Sequence, residues 1–258
     1  GIKQVPDTVE VKIDPKTGTL IRDGVPSIIN HDDKTGIEAA LQLKEQLGGT
    51  VTVVSMGPPQ ADVALREALA MGCDEAILVS AREFGGSDTY ATSGIIAAAL
   101  KQLDYDLIIT GRQAIDGDTA QVGPQIAEKL GLPQVSYAAE ITKEGRTLTI
   151  KRMLEDGYMT IKVNTPCLIT CIKELNAPRY MSVGGIFECY EKPYEVFDYN
   201  TLKDDPLIDS TTIGLKGSPT NIFKSFTPPQ KGAGMMLEGA DKDTCDKLAG
   251  ILAAKHLI

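Results

Sequence analysis

The residues best suited to chemistry lie between Asp106 and Val122, where the sequence reads DLIITGRQAIDGDTAQV. The apolar run from Leu107 to Thr110 is typical of a buried strand, which ends at Gly111 and is followed by a polar loop and a helix. In α/β proteins this arrangement presents backbone N–H groups to a phosphate at the carboxyl edge of a parallel sheet. The segment therefore predicts a nucleotide phosphate site, although an ordinary strand-to-helix turn has the same form.

The glycines and polar residues of this segment have expected local roles. We expect Gly111 to allow a ligand to approach the backbone closely and Gly117 to form a turn with positive φ. Asp118 and Gln121 have the spacing of a capping box. Pro124 lacks an N–H group, so the helix is expected to begin shortly before it.

The loop also carries charges that constrain how it would hold a phosphate. Asp116 and Asp118 would repel an anion unless they face away, cap the helix or hold a ribose, and Arg112 can offset part of their charge. We therefore expect phosphate contacts from Arg112 and from the backbone N–H groups of residues 113–119. The predicted ligand contacts in this segment are Gly111, Arg112, Gln113, Ala114, Ile115, Asp116, Gly117, Asp118, Thr119, Ala120, Gln121 and Val122.

Two further segments are expected at the same sheet edge. The strand over residues 51–55 ends at Met56, and the letters NHDD over residues 30–33 lead into a helix. Successive parallel strands place their carboxyl-end loops side by side, so both segments should lie beside Gly111. The polar side chains here can bond ribose hydroxyls, or they can simply cap the helix. The predicted contacts are Asn30, His31, Asp32, Asp33 and Met56.

Composition excludes several classes of function. The chain has 258 residues, 42% of them hydrophobic, which indicates one large domain or a domain with an appendage. Its net charge of −9 argues against nucleic acids and anionic membrane surfaces as partners. No apolar run reaches the ~18 residues of a membrane span, and no signal peptide is visible. A cytoplasmic protein without membrane insertion is therefore expected.

The side chains do not assemble a catalytic or metal site. Five cysteines do not indicate a disulfide framework and are expected to be reduced packing residues. With only two histidines, no metal site is predicted. No set of nucleophile, base and orienting group is apparent, so any redox chemistry must come from a cofactor. The run over residues 84–89 is similar to the SGGxDS loop of ATP pyrophosphatases, but its first serine is missing and a helix cap explains it equally well.

The order of the elements predicts the fold. Three strand–helix units in succession, with strands over residues 51–55, 76–79 and 107–110, indicate a right-handed parallel sheet of the nucleotide-binding, Rossmann-like α/β class. A β-hairpin is expected over residues 9–24 and another around residues 147–163. Beyond Lys173 the chain lacks clear periodicity. We predict a nucleotide-binding domain over residues 1–175, and an extended C-terminal arm with a terminal helix over residues 176–258 that lies on another subunit.

Four separated motifs resemble those of the electron-transfer flavoprotein β subunit. They begin at Lys3 (KQVPD), Gly111 (GRQAIDGDTAQVGPQIAEKLG), Arg152 (RMLEDGYMTIKVNTPCLIT) and Asn176 (NAPRY). The resemblance covers almost the whole chain. It implies an adenine-nucleotide α-hydrolase-like fold and a heterodimer whose α subunit makes most contacts to one FAD, while the β subunit holds a second nucleotide. It adds Gly1 to the nucleotide contacts named above.

The resemblance also implies an electron carrier that is active only as part of a complex. A loop that docks an acyl-CoA dehydrogenase is expected close to residue 183. The predicted docking residues are Arg179, Tyr180, Met181, Ser182 and Val183. A nucleotide-sensing module like the universal stress proteins is the alternative from another class, and it would need no α subunit.

Two positions depart from the pattern of β subunits that bind AMP. An acidic residue usually stands where this chain has Met153, and a second stands where it has Met159. An acidic side chain there can fill the space of a flavin ring, whereas Met leaves an apolar slot. We therefore expect FAD rather than AMP. The resemblance then implies electron bifurcation in an anaerobic bacterium, with NADH as donor and with acyl-CoA dehydrogenase and ferredoxin or flavodoxin as acceptors; a plain AMP-binding subunit is the alternative.

Overall fold

The computed structural model describes residues 1–7, 12–13, 20–21, 26–220, 232 and 234–258. It divides into two compact units, Gly1–Ile222 and Phe223–Ile258. The boundary predicted after residue 175 separates the nucleotide-binding domain from a segment expected to contact a partner subunit, and it stays a prediction. The described part of the second unit contains one helix, and the first unit contains all other elements.

The described residues form twelve strands and eight α-helices. The strands are β1 (Gln4–Pro6), β2 (Lys12–Ile13), β3 (Leu20–Ile21), β4 (Ser27–Ile29), β5 (Thr52–Met56), β6 (Glu75–Val79), β7 (Leu107–Gly111), β8 (Gln134–Glu144), β9 (Thr147–Met153), β10 (Tyr158–Asn164), β11 (Cys167–Cys171) and β12 (Tyr194–Phe197). The helices are α1 (His31–Leu47), α2 (Asp62–Met71), α3 (Thr89–Leu100), α4 (Val122–Leu130), α5 (Val183–Glu188), α6 (Tyr199–Leu202), α7 (Gly214–Gly217) and α8 (Lys242–Ala254).

The strands that alternate with helices pair in parallel, as the strand–helix rhythm predicts. One sheet has the order β12-β6-β5, and all of its pairs are parallel. The other has the order β10-β9-β8-β11-β7, in which β7, β11 and β8 are parallel and the β8–β9–β10 meander is antiparallel. The expected hairpin around residues 147–163 is confirmed. Strand β2 pairs with β3 as the first predicted hairpin requires, and the rest of that hairpin lies outside the described residues.

The first residues of the chain lie between the two sheets. The Ile2 N–H donates to the Val54 carbonyl at 2.9 Å, and the Gly1 nitrogen donates to the Ile109 carbonyl at 2.7 Å. These residues therefore continue the hydrogen bonding from β5 to β7. As a result, the carboxyl ends of β5 and β7 flank one edge, where the segments singled out in the sequence meet.

Helices cover both faces of the parallel strands. On one face, Leu41 of α1 and Leu65 of α2 pack in one buried cluster with Val53. On the other, Ile95 of α3 and Ile126 of α4 pack in a second cluster. This double coverage explains why the strands read as continuous apolar runs. No helix among the described residues combines the length and the hydropathy that crossing a bilayer requires.

Part of the segment expected to be an extended arm packs within the first unit. Strand β12 extends the parallel sheet beside β6, and its Phe197 is buried. Leu202, Ile208 and Ile213 are buried in the same cluster as α3 and α4. Short elements joined by irregular chain carry too few periodic positions to be recognised in the sequence. Four of the five cysteines are buried and unpaired, and Cys245 is exposed.

Candidate functional site

Asn30 attaches the Gly111–Val122 loop to the start of α1. Its side chain is completely buried. Its Nδ2 donates to the Gln113 carbonyl at 2.8 Å, and its Oδ1 accepts from the Ile115 N–H at 3.1 Å. It precedes α1 but makes no capping bond with its side chain. Asn30 therefore positions the loop and does not cap the helix with its side chain, while its contact with a nucleotide stays a prediction.

Asp33 and Gly111 make the closest contact between α1 and β7. The Asp33 carboxylate is buried and accepts from the backbone N–H groups of Gly111 at 2.9 Å and Lys3 at 2.8 Å. Burial raises the pKa of Asp33, although these two hydrogen bonds oppose the shift. A Cβ on residue 111 would collide with Asp33 Oδ1 and lie 2.8 Å from the Asp32 carbonyl carbon. The absent side chain of Gly111 therefore makes room for the start of α1, and the approach of a ligand to this residue stays a prediction.

Asp32 and Arg112 form the accessible charged pair of the site. Arg112 Nε lies 3.3 Å from Asp32 Oδ2, and the arginine side chain is partly exposed. Burial raises the pKa of Asp32, while the nearby Arg112 charge acts in the opposite direction. Asp32 is therefore the more buried member of the pair, and Arg112 is the more exposed one. His31 is exposed at the first position of α1.

The two carboxylates of the loop are each engaged with a partner. Asp116 is nearly buried and receives Lys3 Nζ at 2.7 Å. Asp118 Oδ1 accepts from Gln113 Nε2 at 2.7 Å. Lys3 therefore compensates the negative charge of Asp116, and a hydrogen bond from Gln113 occupies the carboxylate of Asp118. Asp118 does not form the expected capping box: α4 begins at Val122 after Gln121, which makes no capping bond with its side chain.

The loop turns at different residues from those expected. Gly117 has no positive φ, whereas Asp118 and Ala120 adopt φ values of 50° and 52°. The N–H groups of Gly117 and Asp118 both donate to the Ala114 carbonyl, at 3.2 and 2.9 Å. Three of the backbone N–H groups predicted to bind phosphate therefore bond to other protein atoms instead: those of Gly117 and Asp118, and that of Ile115, which donates to Asn30. The first N–H groups of α4 remain without partners within the helix.

A buried hydroxyl lies at the root of this loop. Gly123 of α4 packs so close to β7 that a Cβ there would lie 2.8 Å from Thr110 Oγ1. Thr110 Oγ1 is buried and has no hydrogen-bond partner among the described residues. Gly1 packs against the same threonine, since a Cβ on Gly1 would lie 3.2 Å from Thr110 Cγ2. Hydroxyl, guanidinium and helix-start N–H donors suit a phosphorylated ligand. Met56 ends β5 and is partly buried against the α3–α4 cluster.

A continuous row of paired residues joins this loop to the β9–β10 hairpin. Gly111 pairs with Cys171, Cys171 with Ala138, Ala138 with Arg152, and Arg152 with Met159. Four inter-strand steps of about 4.8 Å place Gly111 and Met159 roughly 19 Å apart along the sheet. The hairpin residue therefore lies at the same level of the sheet as the loop, on the far strand.

The structure does not bring Met153 and Met159 together on one face. Met153 pairs with Tyr158, whereas Met159 pairs with Arg152. Directly paired residues share a face and consecutive residues alternate. The two methionines therefore lie on opposite faces of the hairpin, with Met159 half-exposed.

Arg152 belongs to this row and Tyr137 lies beside it, next to Ala138. The sequence analysis identified neither as a site residue. Strand β8 has one extra residue relative to β11, because residues 135 and 138 pair with residues 169 and 171. Tyr137 lies in this longer stretch and has a φ of 59°. The Tyr137 N–H donates to Thr170 Oγ1 at 3.2 Å. A positive φ at a bulky residue marks a strained β-bulge, a feature common beside functional sites. The sequence does not indicate this bulge, because apolar and polar residues alternate as in a regular strand on both sides of it.

The predicted docking residues divide into anchors and exposed side chains. Arg179 makes a bidentate contact with Glu38 (2.8 and 3.1 Å) and reaches Glu45, so it ties the segment to α1. Ser182 caps α5 by accepting from the Gly185 N–H at 2.9 Å. Tyr180 is 97% exposed and Val183 is 74% exposed, and Met181 is also exposed.

Further apolar side chains extend this exposed group along α5. Ile186, Phe187 and Tyr190 are all exposed. Helix α5 packs closely on α2, because a Cβ on Gly185 would collide with the Ala70 carbonyl. Lys192 Nζ also donates to the Leu69 and Cys73 carbonyls at 2.9 and 2.7 Å. A firmly held apolar surface of this kind is typical of an interaction site.

Comparisons with known proteins identify the family of the chain. A family model described as the electron transfer flavoprotein domain matches residues 17–196. The acryloyl-CoA reductase electron transfer subunit gamma of Anaerotignum propionicum is 60% identical over 262 residues, covering 100% of this chain and 98% of that protein. The electron transfer flavoprotein subunit beta of Clostridium acetobutylicum is 54% identical, with 100% and 98% covered. The caffeyl-CoA reductase-Etf complex subunit CarD of Acetobacterium woodii is also 54% identical, with 98% and 95% covered.

Proposed function

Because the chain belongs to the electron transfer flavoprotein family as a β subunit, we propose that its sheet edge holds FAD rather than AMP. When bound, FAD supplies the flavin ring that accepts electrons from a reduced nicotinamide nucleotide. The residues of this chain bind and orient it. The partly exposed Arg112 guanidinium is the side-chain donor that favours a phosphorylated ligand at the loop.

The row of paired residues from Gly111 to Met159 is the observation that carries this proposal. A ligand anchored at the Gly111–Val122 loop and touching the hairpin must extend across four strand intervals, about 19 Å. A mononucleotide has one base, one sugar and one phosphate, so it is too short to contact both. A dinucleotide such as FAD has a second nucleotide half that can reach Met159.

Each part of the site has a proposed role. The first N–H groups of α4 and Arg112 bind the pyrophosphate, with the helix dipole favouring the negative charge. Asp32 orients a ribose hydroxyl, whereas Asn30 and Asp33 keep the loop in place through their backbone contacts. Met159 offers an uncharged, polarizable side chain to the ring. Met153, on the other face of the hairpin, supports the strand pair.

We further propose that the heterodimer bifurcates electrons from NADH. One electron passes through the flavin of the α subunit to an acyl-CoA dehydrogenase, and the other passes to ferredoxin or flavodoxin. Two of the relatives described above carry the names of acryloyl-CoA and caffeyl-CoA reductase complexes, which supports an acyl-CoA partner. The exposed surface formed by Tyr180, Met181, Val183 and Phe187 is the proposed docking site. The segment 176–258 is proposed to contact the α subunit.

The test is the nucleotide content of the purified heterodimer. Nucleotides released by denaturation are identified by mass spectrometry and quantified against the protein. We expect two FAD and no AMP per heterodimer. One FAD with one AMP would contradict the proposal while leaving the family membership intact. The α subunit expressed alone serves as the control, because it should retain one FAD only.

A further inference from the structure

We propose that Arg152 compensates the negative charge that a flavin gains on reduction in this site. This inference rests on the proposed function, since it requires FAD rather than AMP. It is carried by the strand register, which places Arg152 opposite Ala138 on one side and opposite Met159 on the other. Both cross-strand neighbours are uncharged.

The guanidinium is partly buried and incompletely satisfied. Within the described residues, Arg152 Nε is buried and has no hydrogen-bond partner. A charged donor withdrawn from water without a partner is costly, which favours an anionic group beside it. A carboxylate at position 159 would stand directly opposite Arg152 and neutralise it across the strands. Met159 leaves that positive charge available.

The bulge in β8 brings an aromatic ring close to the guanidinium. The centre of the Arg152 guanidinium lies 5.9 Å from the centroid of the Tyr137 ring, within the range of a cation–π contact. The positive φ of Tyr137 adds one residue to β8, so that Val135 and Ala138 are both buried in the same cluster. The strained residue therefore positions a ring beside the guanidinium.

The location of Arg152 favours the flavin over the pyrophosphate as its ligand. Arg152 lies three strand intervals from Gly111, roughly 14 Å, and directly beside Met159. Phosphate donors are already grouped at the loop. A flavin that accepts two electrons and one proton gains one negative charge. A fixed guanidinium beside the ring stabilises this reduced form and raises its reduction potential.

The experiment measures the potential of the β-subunit flavin in the intact heterodimer, with the α-subunit flavin as an internal reference. Arg152→Gln removes the charge. Lys151→Gln is the matched control, because it removes one positive charge from the adjacent residue on the opposite face, where Lys151 pairs with Glu140 at 2.6 Å. We expect Arg152→Gln to disfavour reduction at least tenfold, which lowers a two-electron potential by about 30 mV. Lys151→Gln should leave it unchanged.

The outcomes separate this inference from the proposed function. AMP in the unaltered heterodimer would refute the proposed function before any variant is made. Two FAD with an unchanged potential in Arg152→Gln would overturn the role of Arg152 alone. If Arg152→Gln loses the flavin, Arg152→Lys decides: retained FAD at the original potential supports a role of charge, whereas a lowered potential or lost FAD overturns it.

Discussion

Gly111 shows how a glycine beside a proposed ligand loop can be required by the packing of the protein itself. Its position lets the buried carboxylate of Asp33 accept hydrogen bonds from the Gly111 and Lys3 backbones. Three segments distant in sequence are thereby joined at one point, beside the predicted phosphate site. Gly117 has a different environment, because a Cβ there would meet no atom within 4 Å.

These two glycines give a matched prediction. Gly111→Ala should destabilise the protein by about 1–3 kcal/mol, because the methyl group displaces the start of α1. It should also reduce nucleotide retention. Gly117→Ala should change stability by less than about 1 kcal/mol, since it meets open space and needs no positive φ. Thermal unfolding and nucleotide content measure both; equal effects of the two variants would contradict this account.

The loop carboxylates make a related point about local charge. Asp116 is paired with Lys3, and Asp118 accepts from Gln113, so neither acts as the isolated negative charge that the sequence alone indicates. Removing Lys3 would leave a nearly buried carboxylate without its charged partner, which costs more than the loss of an exposed pair. The acidic loop is therefore compatible with an anionic ligand.

At the scale of elements, α1 makes two sets of contacts that bear on function. Its start carries the site residues, while Glu38 and Glu45 along its length hold Arg179. Burial acts to raise the pKa of Glu38, but the hydrogen bonds from Arg179 outweigh it and leave the pKa lowered. The same helix therefore positions both the proposed nucleotide site and the segment that leads to the proposed docking surface.

The Arg179 contacts predict a pH-dependent loss of stability. Arg179→Ala should cost about 2 kcal/mol at neutral pH, because it leaves the buried Glu38 carboxylate without its charged donor. A lowered carboxyl pKa stabilises the fold above the unfolded value near ~4.3 and loses that contribution as the pH falls through the folded value. The difference from the unaltered protein should therefore shrink in acid.

Urea unfolding at several pH values measures this effect. Arg82→Ala is the control, since Arg82 is exposed and has no ion pair among the described residues. We expect it to change stability by less than about 0.5 kcal/mol. An Arg179→Ala cost that stays constant down to the acid limit would mean that packing, not charge, holds the segment.

At the scale of the whole molecule, the proposed nucleotide site and the exposed apolar surface on α5 are separate features of the first unit. The site lies at the carboxyl edge of the sheet, whereas α5 packs on α2. Separate surfaces allow one partner to dock while the nucleotide stays bound. This arrangement suits a carrier whose redox chemistry comes from cofactors.

The docking surface predicts a selective defect in electron transfer. Val183→Asp should reduce electron transfer to the acyl-CoA dehydrogenase at least tenfold, because it places a charge in a desolvated contact. Its flavin content should be unchanged. Val196→Asp is the control, as Val196 is also exposed but lies on β12. Stopped-flow reoxidation with the dehydrogenase measures the rate, and equal losses in both variants would argue against a specific surface.

Much of the fold follows from the sequence because it depends on local patterns. The apolar strands, the helices that follow them and the β9–β10 hairpin are confirmed near their expected residues. Only the tertiary structure decided the roles of Asn30, Gly111 and Arg179, the bulge at Tyr137 and the opposite faces of Met153 and Met159. These depend on strand register and on contacts between distant segments, to which periodicity and residue type are insensitive.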